Sequence, residues 1–276
     1  MKTTVETVAG QLERIWDAEP LFVGYDRARM PSRQAVIETL LDIRGLILPG
    51  YAPAAGEPPS VVRHLERIRQ RVTREIASAL RAAGQEGDAG ELTERFLLRL
   101  PEVEELLLAD ARACFDGDPA ARSVEEVVCC YPGFFATLVY RVAHELHLLG
   151  VPFLPRVMTE YAHSGTGIDI HPGARIGRRF MIDHGTGVVI GETCEIGDDA
   201  RVYQGVTLGA LSTRGGQRMA GTKRHPTIGN HVIIYANATV LGGDTVIGDN
   251  CVIGGSAFIT RSVPAGSTVT GQGTLE

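Results

Sequence analysis

The sequence predicts an α+β protein in two parts, a helical bundle over residues 1–160 and a parallel β-helix of six-residue repeats over residues 161–276. Three observations carry this prediction. Apolar residues recur every three or four positions in the first part, they recur every six positions after about Ile168, and most of the 33 glycines lie in the second part. A chain of 276 residues is long enough to hold both parts.

The first part is predicted to be helical because its apolar positions line one face of each segment. The clearest case is residues 61–80, where aliphatic side chains at helical spacing lie opposite arginines and glutamates and Ser60 stands at the N-cap position. Ser123 and Glu126 form a capping-box pair that opens another helix. The same pattern predicts helices over residues 33–46, 91–100, 102–113 and 134–149.

The six-residue period of the second part has a direct structural meaning. Each repeat supplies one short strand and one corner, three repeats close a triangular coil, and each aliphatic residue stacks inward on its counterpart in the next coil. A glycine-rich β-domain with fortuitous spacing is the alternative, but about a dozen positions keep their phase. These residues are Ile170, Ile176, Ile182, Ile190, Ile196, Val202, Leu208, Ile228, Ile234, Val240, Ile247, Ile253 and Ile259.

The period is lost at residues 209–227, GALSTRGGQRMAGTKRHPT, which are polar, glycine-rich and basic. We predict that this segment is a loop thrown out from one corner, and long loops on a rigid scaffold often carry function. The spacing is also eight residues rather than six between Ile182 and Ile190, and seven between Val240 and Ile247. These smaller slips predict a bulge or a wider corner in each coil.

Composition excludes several classes of function. The net charge of −6 and the pI near 5.8 give no basic footprint for nucleic acid or an anionic membrane surface. No apolar run approaches the ~18 residues of a membrane span, and the N-terminus has no apolar core of a signal peptide. Five cysteines without scaffold spacing indicate a reducing compartment, so we expect a cytoplasmic protein without nucleic-acid or membrane partners.

Two polar residues on the repeat scaffold suggest acid–base chemistry. Asp169 and His184 are fifteen residues apart, close to the eighteen of one coil, so neighbouring coils could bring them to the same corner. A carboxylate there would hold the imidazole by one nitrogen and leave the other free to take a proton from a hydroxyl group. Taken alone, Asp169 could instead bond the backbone of a turn, and His184 could be an ordinary surface histidine.

Other polar residues are candidates for ligand binding. Asp183 precedes His184, and Arg224 and His225 lie in the loop segment KRHPT, where solvated surface charges are the alternative. A zinc site of three histidines is a further alternative, because some β-helices of this type are zinc-dependent carbonic anhydrases. The histidines form no close pair within a coil, so we expect no metal. The histidines of this region are His163, His171, His184, His225 and His231.

Two long segments carry a resemblance to a known family. They are DIHPGARIGRRFMIDHGTGVVIGETCEIGDDARVYQGVTLGA and RHPTIGNHVIIYANATVLGGDTVIGDNCVIGGSAFI. Their combination of DIHPGA, the DH-TG-V-GET pattern and the RHP loop resembles serine O-acetyltransferases, densely over residues 165–264 and more loosely through the helical half. The resemblance implies a left-handed parallel β-helix that acetylates L-serine from acetyl-CoA, the step that commits serine to cysteine synthesis.

The resemblance also implies roles for individual residues. His184 matches the catalytic base, and Asp169 matches the carboxylate that orients it. Asp183, Arg224 and His225 match residues that hold the amino-acid substrate. The Arg224 guanidinium would pair with the carboxylate of that substrate, because its planar fork fits a carboxylate bidentately.

Further roles fall on the helical half and on a groove for the coenzyme. Asp118, in FDGDPAAR, matches an aspartate that meets the ammonium group of the substrate, although with Pro119 after it Asp118 could also cap a helix. Coenzyme A in this family lies along a groove between the β-helices of neighbouring subunits, so acetyl-CoA is the expected co-substrate. By position, the small residues that would line the groove are Gly209, Ala210, Ala236 and Gly255.

The resemblance extends to partners. It implies a homotrimer or a dimer of trimers, because the groove is shared between subunits. The sequence ends at GSTVTGQGTLE without the isoleucine-ended tail that many relatives insert into their partner sulfhydrylase, so we do not carry the expectation of that complex, or of tail-dependent feedback by cysteine, over to this chain. Competition by L-cysteine at the serine site remains compatible with the residues present. Homoserine or another small hydroxyl acceptor, and a non-catalytic scaffold, are the alternatives.

Overall fold

The computed structural model describes residues 3–18, 30–51 and 60–270. Over these residues it confirms the predicted fold class, with eight α-helices followed by a left-handed parallel β-helix. The helices are α1 (Thr4–Ala18), α2 (Arg33–Ile47), α3 (Val61–Ala83), α4 (Ala89–Leu97), α5 (Leu100–Gly117), α6 (Val124–Cys130), α7 (Pro132–Leu148) and α8 (Leu154–Thr166).

The helix boundaries follow signals in the sequence. Helix α3 begins directly after Ser60, whose hydroxyl accepts a hydrogen bond from a backbone amide of the first turn, and it ends at Gly84 with a left-handed φ of 64°. Ser123 caps α6 in the same way. One boundary differs from the expected division of the chain, because α8 stays helical through Thr166, beyond residue 160.

The second part is a stack of two- and three-residue strands that pair in parallel. The strands are β1 (Asp169–Ile170), β2 (Arg175–Ile176), β3 (Met181–Ile182), β4 (Val189–Ile190), β5 (Glu195–Ile196), β6 (Arg201–Val202), β7 (Thr207–Gly209), β8 (Thr227–Ile228), β9 (Ile233–Ile234), β10 (Thr239–Leu241), β11 (Val246–Ile247), β12 (Val252–Ile253), β13 (Phe258–Ile259) and β14 (Thr268–Val269). They form three sheets, β1-β4-β7-β10-β13 (sheet A), β2-β5-β8-β11 (sheet B) and β3-β6-β9-β12-β14 (sheet C).

Three corners join the sheets, and two of them hold the predicted site residues. We call the segments that lead from sheet C to sheet A the C–A corner; they are residues 183–188, 203–206, 235–238 and 254–257. We call the segments that lead from sheet A to sheet B the A–B corner; they are residues 171–174, 191–194, 210–226 and 242–245. Because the strands pair in register from coil to coil, the segments of one corner lie above one another along the axis.

The six-residue series points into the interior as predicted. In sheet A it forms one column of paired residues, Ile170, Ile190, Leu208, Val240 and Ile259. Each of these side chains is at most 7% exposed. Stacking therefore buries an apolar face that a single coil would leave in water.

The irregularities of the repeat have structural counterparts on the two corners. Between β3 and β4 the C–A corner is widened, and Gly185 and Gly187 adopt left-handed φ values of 87° and 84° that favour glycine. The long loop leaves the A–B corner between β7 and β8, spans residues 210–226 and contains a 3₁₀ turn at Gly216–Met219. The widened segment thus lies on the C–A corner, and the long loop lies on the A–B corner.

The helical part docks onto the first coil through a buried ion pair. The Arg141 guanidinium binds both carboxylate oxygens of Asp110, with Nε–Oδ2 at 2.6 Å and Nη2–Oδ1 at 3.0 Å. Arg141 also donates to the carbonyl oxygens of Ile176 and Gly177, and Asp110 accepts from the amide of Phe180. Both side chains are at most 4% exposed, so every charge in this contact is paired away from water.

Two expectations from the sequence concern membranes and the C-terminus. Within the described residues no single helix is long and apolar enough to cross a membrane, and only α6 and α7 counted together across a 75° bend pass the same criteria. The expectation about the sulfhydrylase-binding tail concerns residues 271–276, which lie outside the described residues.

Candidate active site

His184 stands on the C–A corner directly after β3. Its backbone has a left-handed φ of 57°, and its side chain is 71% exposed. The Asp183 carboxylate is close, with Oδ1 3.7 Å from the imidazole Nδ1. An accessible imidazole with a carboxylate beside one nitrogen can take a proton from a hydroxyl group that docks at this corner.

The helical part brings a second carboxylate, Asp118, to the same corner. Two glycines allow the close approach: a Cβ on Gly117 would lie 2.3 Å from Sδ of Met181, and a Cβ on Gly133 would lie 2.2 Å from the carbonyl oxygen of Ile182. Both contacts are with β3, the strand that leads into the C–A corner. Asp118, which follows the first of these glycines, therefore lies beside the end of β3.

Asp118 is held in place by hydrogen bonds to both carboxylate oxygens. Oδ1 accepts from the Ala120 amide at 2.8 Å, and Oδ2 accepts from the Tyr131 hydroxyl at 2.5 Å. The Tyr131 bond, the Ala120 bond and the nearby His184 imidazole lower the pKa of Asp118. Asp118 is the C-cap of α5 rather than the cap of a helix starting at Pro119, since the next helix is α6.

Asp169 lies next to the C–A corner, but its carboxylate faces α8. Its amide donates to the carbonyl oxygen of Val188, the last residue of the widened corner, and Oδ1 lies 3.8 Å from Nη1 of Arg156. Within the part of the chain that the structure describes, no hydrogen bond or ion pair joins Asp169 to His184. Asp169 and His184 therefore lie near the same corner without a direct contact between their side chains. The orienting role of Asp169 stays a prediction.

A carboxylate–histidine group beside β1 has the donor types of a divalent cation site. Glu160, His163 and Asp169 each present a ligand atom, and these atoms lie within 4.8 Å of one another. The Arg156 guanidinium already pairs with both carboxylates, so a cation would have to displace it. The histidines weighed as zinc ligands lie in separate places: His163 on α8, His171 and His225 on the A–B corner, His184 on the C–A corner and His231 between β8 and β9.

The A–B corner holds the remaining predicted residues in a closed hydrogen-bond network. The Arg224 guanidinium forms a short ion pair with Glu192. The Thr193 hydroxyl accepts from the amides of Arg224 and His225 at 2.9 and 3.0 Å, and His225 Nδ1 accepts from the Thr193 amide at 3.1 Å. Gly191 lies against the His225 ring, where a Cβ would come within 2.1 Å of Cδ2.

Burial fixes the protonation states on the A–B corner. Burial and the charge of Arg224 lower the pKa of His225 to about 4, and burial and the charge of Arg156 lower the pKa of His171 to about 4. Burial is the largest single influence and by itself would raise the pKa of Glu192, but the hydrogen bond with Arg224 and the positive charge of Arg224 together outweigh burial and lower it. At neutral pH both imidazoles are therefore uncharged, while the Arg224–Glu192 pair is charged.

The four small residues predicted to line a coenzyme groove are divided between the corners. Ala236 and Gly255 lie on the C–A corner of adjacent coils, where the Ala236 carbonyl oxygen accepts from the Ser256 amide at 2.9 Å. Gly209 is the last residue of β7, and Ala210 begins the loop of the A–B corner. All four are at least partly exposed, so their backbone groups are accessible to a ligand.

The predicted site residues thus form two groups on two corners of one chain. The group at the C–A corner consists of Asp118, Asp183, His184, Ala236 and Gly255. The group at the A–B corner consists of Gly209, Ala210, Arg224 and His225. Sheet A lies between the corners, so the two groups face away from each other across the described part of the β-helix.

Sequence reasoning missed three residues that the structure places in these groups. Glu192 and Thr193 belong to the GET sequence after β4, and the polar pair in an otherwise regular corner was a signal that could have identified them. Glu192 and Arg224 line a cavity of about 380 Å³ beneath the long loop. Tyr131 carried no signal, because its contact with Asp118 depends on how α5 and α7 pack onto β3.

Comparisons with known proteins agree on one kind of relative. No protein-family model matches the chain. The chain is 52% identical over 184 residues to the plasmid serine acetyltransferase of Synechococcus elongatus, an alignment covering 66% of this chain and 57% of that protein. It is 51% identical over 154 residues to the serine acetyltransferase of Helicobacter pylori, covering 56% of this chain and 86% of that protein. The chain thus spans little more than half the length of the first relative and most of the second.

The fold is similar to a solved structure over most of its length. The crystal structure of Entamoeba histolytica serine acetyltransferase 1 in complex with L-cysteine matches with a TM-score of 0.76 and 39% identity. The match covers 83% of this chain and 85% of that one. The similarity therefore includes helices as well as the β-helix.

Proposed function

The chain belongs to the serine acetyltransferase family, and from this membership we propose that it transfers the acetyl group of acetyl-CoA to the hydroxyl oxygen of L-serine. The product, O-acetyl-L-serine, serves cysteine biosynthesis. The observation that carries the proposal is the C–A corner, where the accessible imidazole of His184 lies beside the carboxylates of Asp183 and Asp118. Such a corner suits a substrate that has a hydroxyl group to be deprotonated and an ammonium group to be held.

His184 is the general base in this mechanism. Its imidazole takes the proton of the serine hydroxyl as the oxygen attacks the thioester carbonyl carbon. The tetrahedral intermediate collapses with cleavage of the C–S bond, and the imidazolium returns the proton to the departing thiolate, giving free coenzyme A. Asp169, next to the same corner, orients the imidazole once substrate is bound, since catalytic hydrogen bonds are often long in ligand-free proteins.

The remaining charges hold the amino-acid part of the substrate. Asp118 and Asp183 attract the ammonium group, because both carboxylates lie at the C–A corner. Arg224 binds the substrate carboxylate through the guanidinium N–H groups that its bonds to Glu192 and to the Thr222 carbonyl oxygen leave over. His225, neutral and bonded to the backbone of the corner, keeps the arginine segment in position.

These groups can meet only where two copies of the chain adjoin. The C–A corner of one subunit faces the A–B corner of the next, and three copies around a threefold axis close a ring with three equivalent sites. Acetyl-CoA lies in the groove between them, with Ala236 and Gly255 on one wall and Gly209 and Ala210 on the other. The assembly is a homotrimer or a dimer of trimers.

The proposal extends to inhibition by L-cysteine and to the cellular location of the protein. L-cysteine carries the same ammonium and carboxylate groups as L-serine, so it competes for the site, in line with the Entamoeba relative that is solved in complex with L-cysteine.

All five cysteines of the chain are free thiols, and burial raises the pKa of Cys114 and Cys194 to about 12. We place the protein in the reducing cytoplasm on this ground.

An acceptor screen tests the reaction. The full chain is incubated with acetyl-CoA and one acceptor at a time, and release of the coenzyme A thiol is followed by its reaction with a chromogenic disulfide. Release with L-serine but not with glucosamine or chloramphenicol supports the proposal. Preference for homoserine would change the acceptor and keep the mechanism, whereas no release with any amino acid would overturn the proposal.

Subunit complementation tests the shared site. His184→Ala and Arg224→Ala chains, each impaired alone, are unfolded together in equal amounts and refolded. In random trimers about a quarter of the sites combine an intact C–A corner with an intact A–B corner, so about a quarter of wild-type activity should return. If mixing restores nothing while each variant alone forms trimers, the site does not lie between subunits.

A further inference from the structure

Tyr131 lies between α6 and α7, and its hydroxyl donates a hydrogen bond to Oδ2 of Asp118 at 2.5 Å. We infer that Tyr131 is a positioning residue for the acceptor: it fixes the Asp118 carboxylate at the C–A corner so that this carboxylate can receive the substrate's ammonium group. The inference rests on the proposed function and adds to it a residue that touches neither substrate nor the reacting atoms.

The Asp118 carboxylate needs such support because a loop backbone alone does not fix the direction of its side chain. Asp118 sits in extended conformation after the last turn of α5, with φ −116° and ψ 106°, in a segment without helix or strand. Its Oδ1 bonds the Ala120 amide two residues further along the same loop. The Tyr131 hydroxyl is the partner that ties the other oxygen to a different element. Two bonds to two elements fix the plane of a carboxylate, which one local bond does not.

Tyr131 is itself anchored to the strand that leads to the catalytic histidine. It is the N-cap of α7, followed by Pro132 at the first helical position and then by Gly133. Gly133 is packed against the carbonyl of Ile182 so closely that a Cβ would come within 2.2 Å of its oxygen. Gly117 places Asp118 beside β3, and the tyrosine ties the Asp118 carboxylate to the same strand through α7.

The electrostatic surroundings agree with a carboxylate kept charged for a cation. The titratable and charged groups that face the pair come from α5, α6, the C–A corner and β6; they are Cys114, Glu126, Asp183, His184, Arg201 and Tyr203. The Tyr131 bond is the largest of the influences that lower the pKa of Asp118, and the same bond raises the pKa of Tyr131. The phenol thus stays protonated as a donor while the carboxylate stays ionised.

A set of four variants tests the inference by kinetics on the full chain. Tyr131→Phe removes only the hydroxyl, and we expect the serine KM to rise roughly tenfold, as for loss of a hydrogen bond to a charged group, with kcat within about twofold and the acetyl-CoA KM unchanged. In an Asp118→Asn background the same change should add less than about twofold, because the charged partner is already gone. Tyr140→Phe is the matched control, since its buried hydroxyl donates to the Ala174 carbonyl oxygen, away from Asp118 and the C–A corner.

The pH dependence of serine binding separates positioning from mere packing. Without the Tyr131 hydroxyl the pKa of Asp118 rises toward its ordinary value, so the acidic loss of L-serine affinity should begin at a higher pH in Tyr131→Phe than in the wild type. Calorimetric titration with L-serine from pH 6 down to pH 3, on protein shown by circular dichroism to be folded at each pH, measures this, and Asp118→Asn should show no such displacement. Tyr140→Phe should lower the melting temperature and leave the binding curve where it is.

The outcomes distinguish the inference from the function on which it rests. If the wild type acetylates L-serine and Tyr131→Phe matches it in serine KM and in pH dependence, the positioning role is wrong and the proposed function stands. Additive losses of Tyr131→Phe and Asp118→Asn would also refute it, because they would act independently. A wild type that leaves L-serine untouched overturns the proposed function itself, and the inference with it.

Discussion

The two histidines of the proposed site show how differently the two corners are built. On the C–A corner, the His184 side chain is 71% exposed and lies 3.7 Å from the Asp183 carboxylate. On the A–B corner, His225 is 8% exposed, accepts a hydrogen bond from the Thr193 amide, and has its pKa lowered to about 4 by burial. One corner leaves an imidazole free to move a proton. The other uses an imidazole as a neutral part of the frame that positions Arg224.

The charges divide between the corners in the same way. Asp118 and Asp183 bring carboxylates to the C–A corner, whereas the A–B corner holds the cations Arg224 and Lys223, which are paired with Glu192 and Glu195. An amino acid carries an ammonium and a carboxylate on one carbon. In the proposed mechanism the ammonium group meets the carboxylates of the C–A corner and the substrate carboxylate meets the Arg224 guanidinium.

Replacing His184 by alanine, on the C–A corner, should lower kcat more than any other single change. A general base contributes about 10²- to 10⁴-fold to the rate, so kcat should fall by at least about a hundredfold while acetyl-CoA binding persists. The side chain is exposed, so the melting temperature should change little. Steady-state kinetics and a thermal melt measure both.

His231→Ala is the matched control for that experiment. His231 is also an exposed corner histidine with a left-handed φ of 57°, but it lies between β8 and β9, away from both groups of site residues. We expect near-normal turnover from it. A His184→Ala enzyme within a factor of three of the wild type would place the base elsewhere.

Arg224→Ala, on the A–B corner, should change the serine KM more than kcat. Loss of the guanidinium removes a charged contact to the substrate carboxylate and leaves Glu192 unpaired, so the serine KM should rise by roughly a hundredfold with a smaller change in kcat. Arg224→Lys keeps the charge without the planar fork and should fall between. Arg218→Ala, in the same loop, controls for a general loss of positive charge. A serine KM unchanged in Arg224→Ala would contradict the role.

The fold could be predicted from the sequence because its period is imposed by geometry. An inward position every sixth residue has one architectural explanation, and the column from Ile170 to Ile259 follows from it. The fifteen residues between Asp169 and His184 placed both beside one corner, but the direction of the Asp169 side chain is set by Arg156 on α8. A repeat pattern says nothing about such a helix. The division of the site residues between two corners could not be predicted either. Matching a motif assigns roles to residues but does not show on which corner each of them lies.

The smallest expected effect is on stability at low pH, which should depend on the buried histidines of the A–B corner and not on His184 of the C–A corner. His225 and His171 are held neutral in the folded protein with pKa values lowered to about 4, whereas an unfolded histidine has a pKa of about 6.5. The unfolded state therefore binds more protons as the pH falls through this window. Stability is fully present above about pH 6.5 and is lost progressively toward pH 4.

Thermal melts between pH 7.5 and pH 4.5 on two variants measure that contribution. His225→Asn keeps an acceptor near the Nδ1 position that the Thr193 amide uses, and it removes the titrating ring. Its melting temperature should decline less with acid than that of the wild type, even if it starts lower. His184→Ala, which removes the imidazole of the open corner, should follow the wild-type decline. Two parallel curves for His225→Asn and the wild type would mean that the buried imidazole takes up its proton without unfolding, and the closed character of the A–B corner would then be wrong.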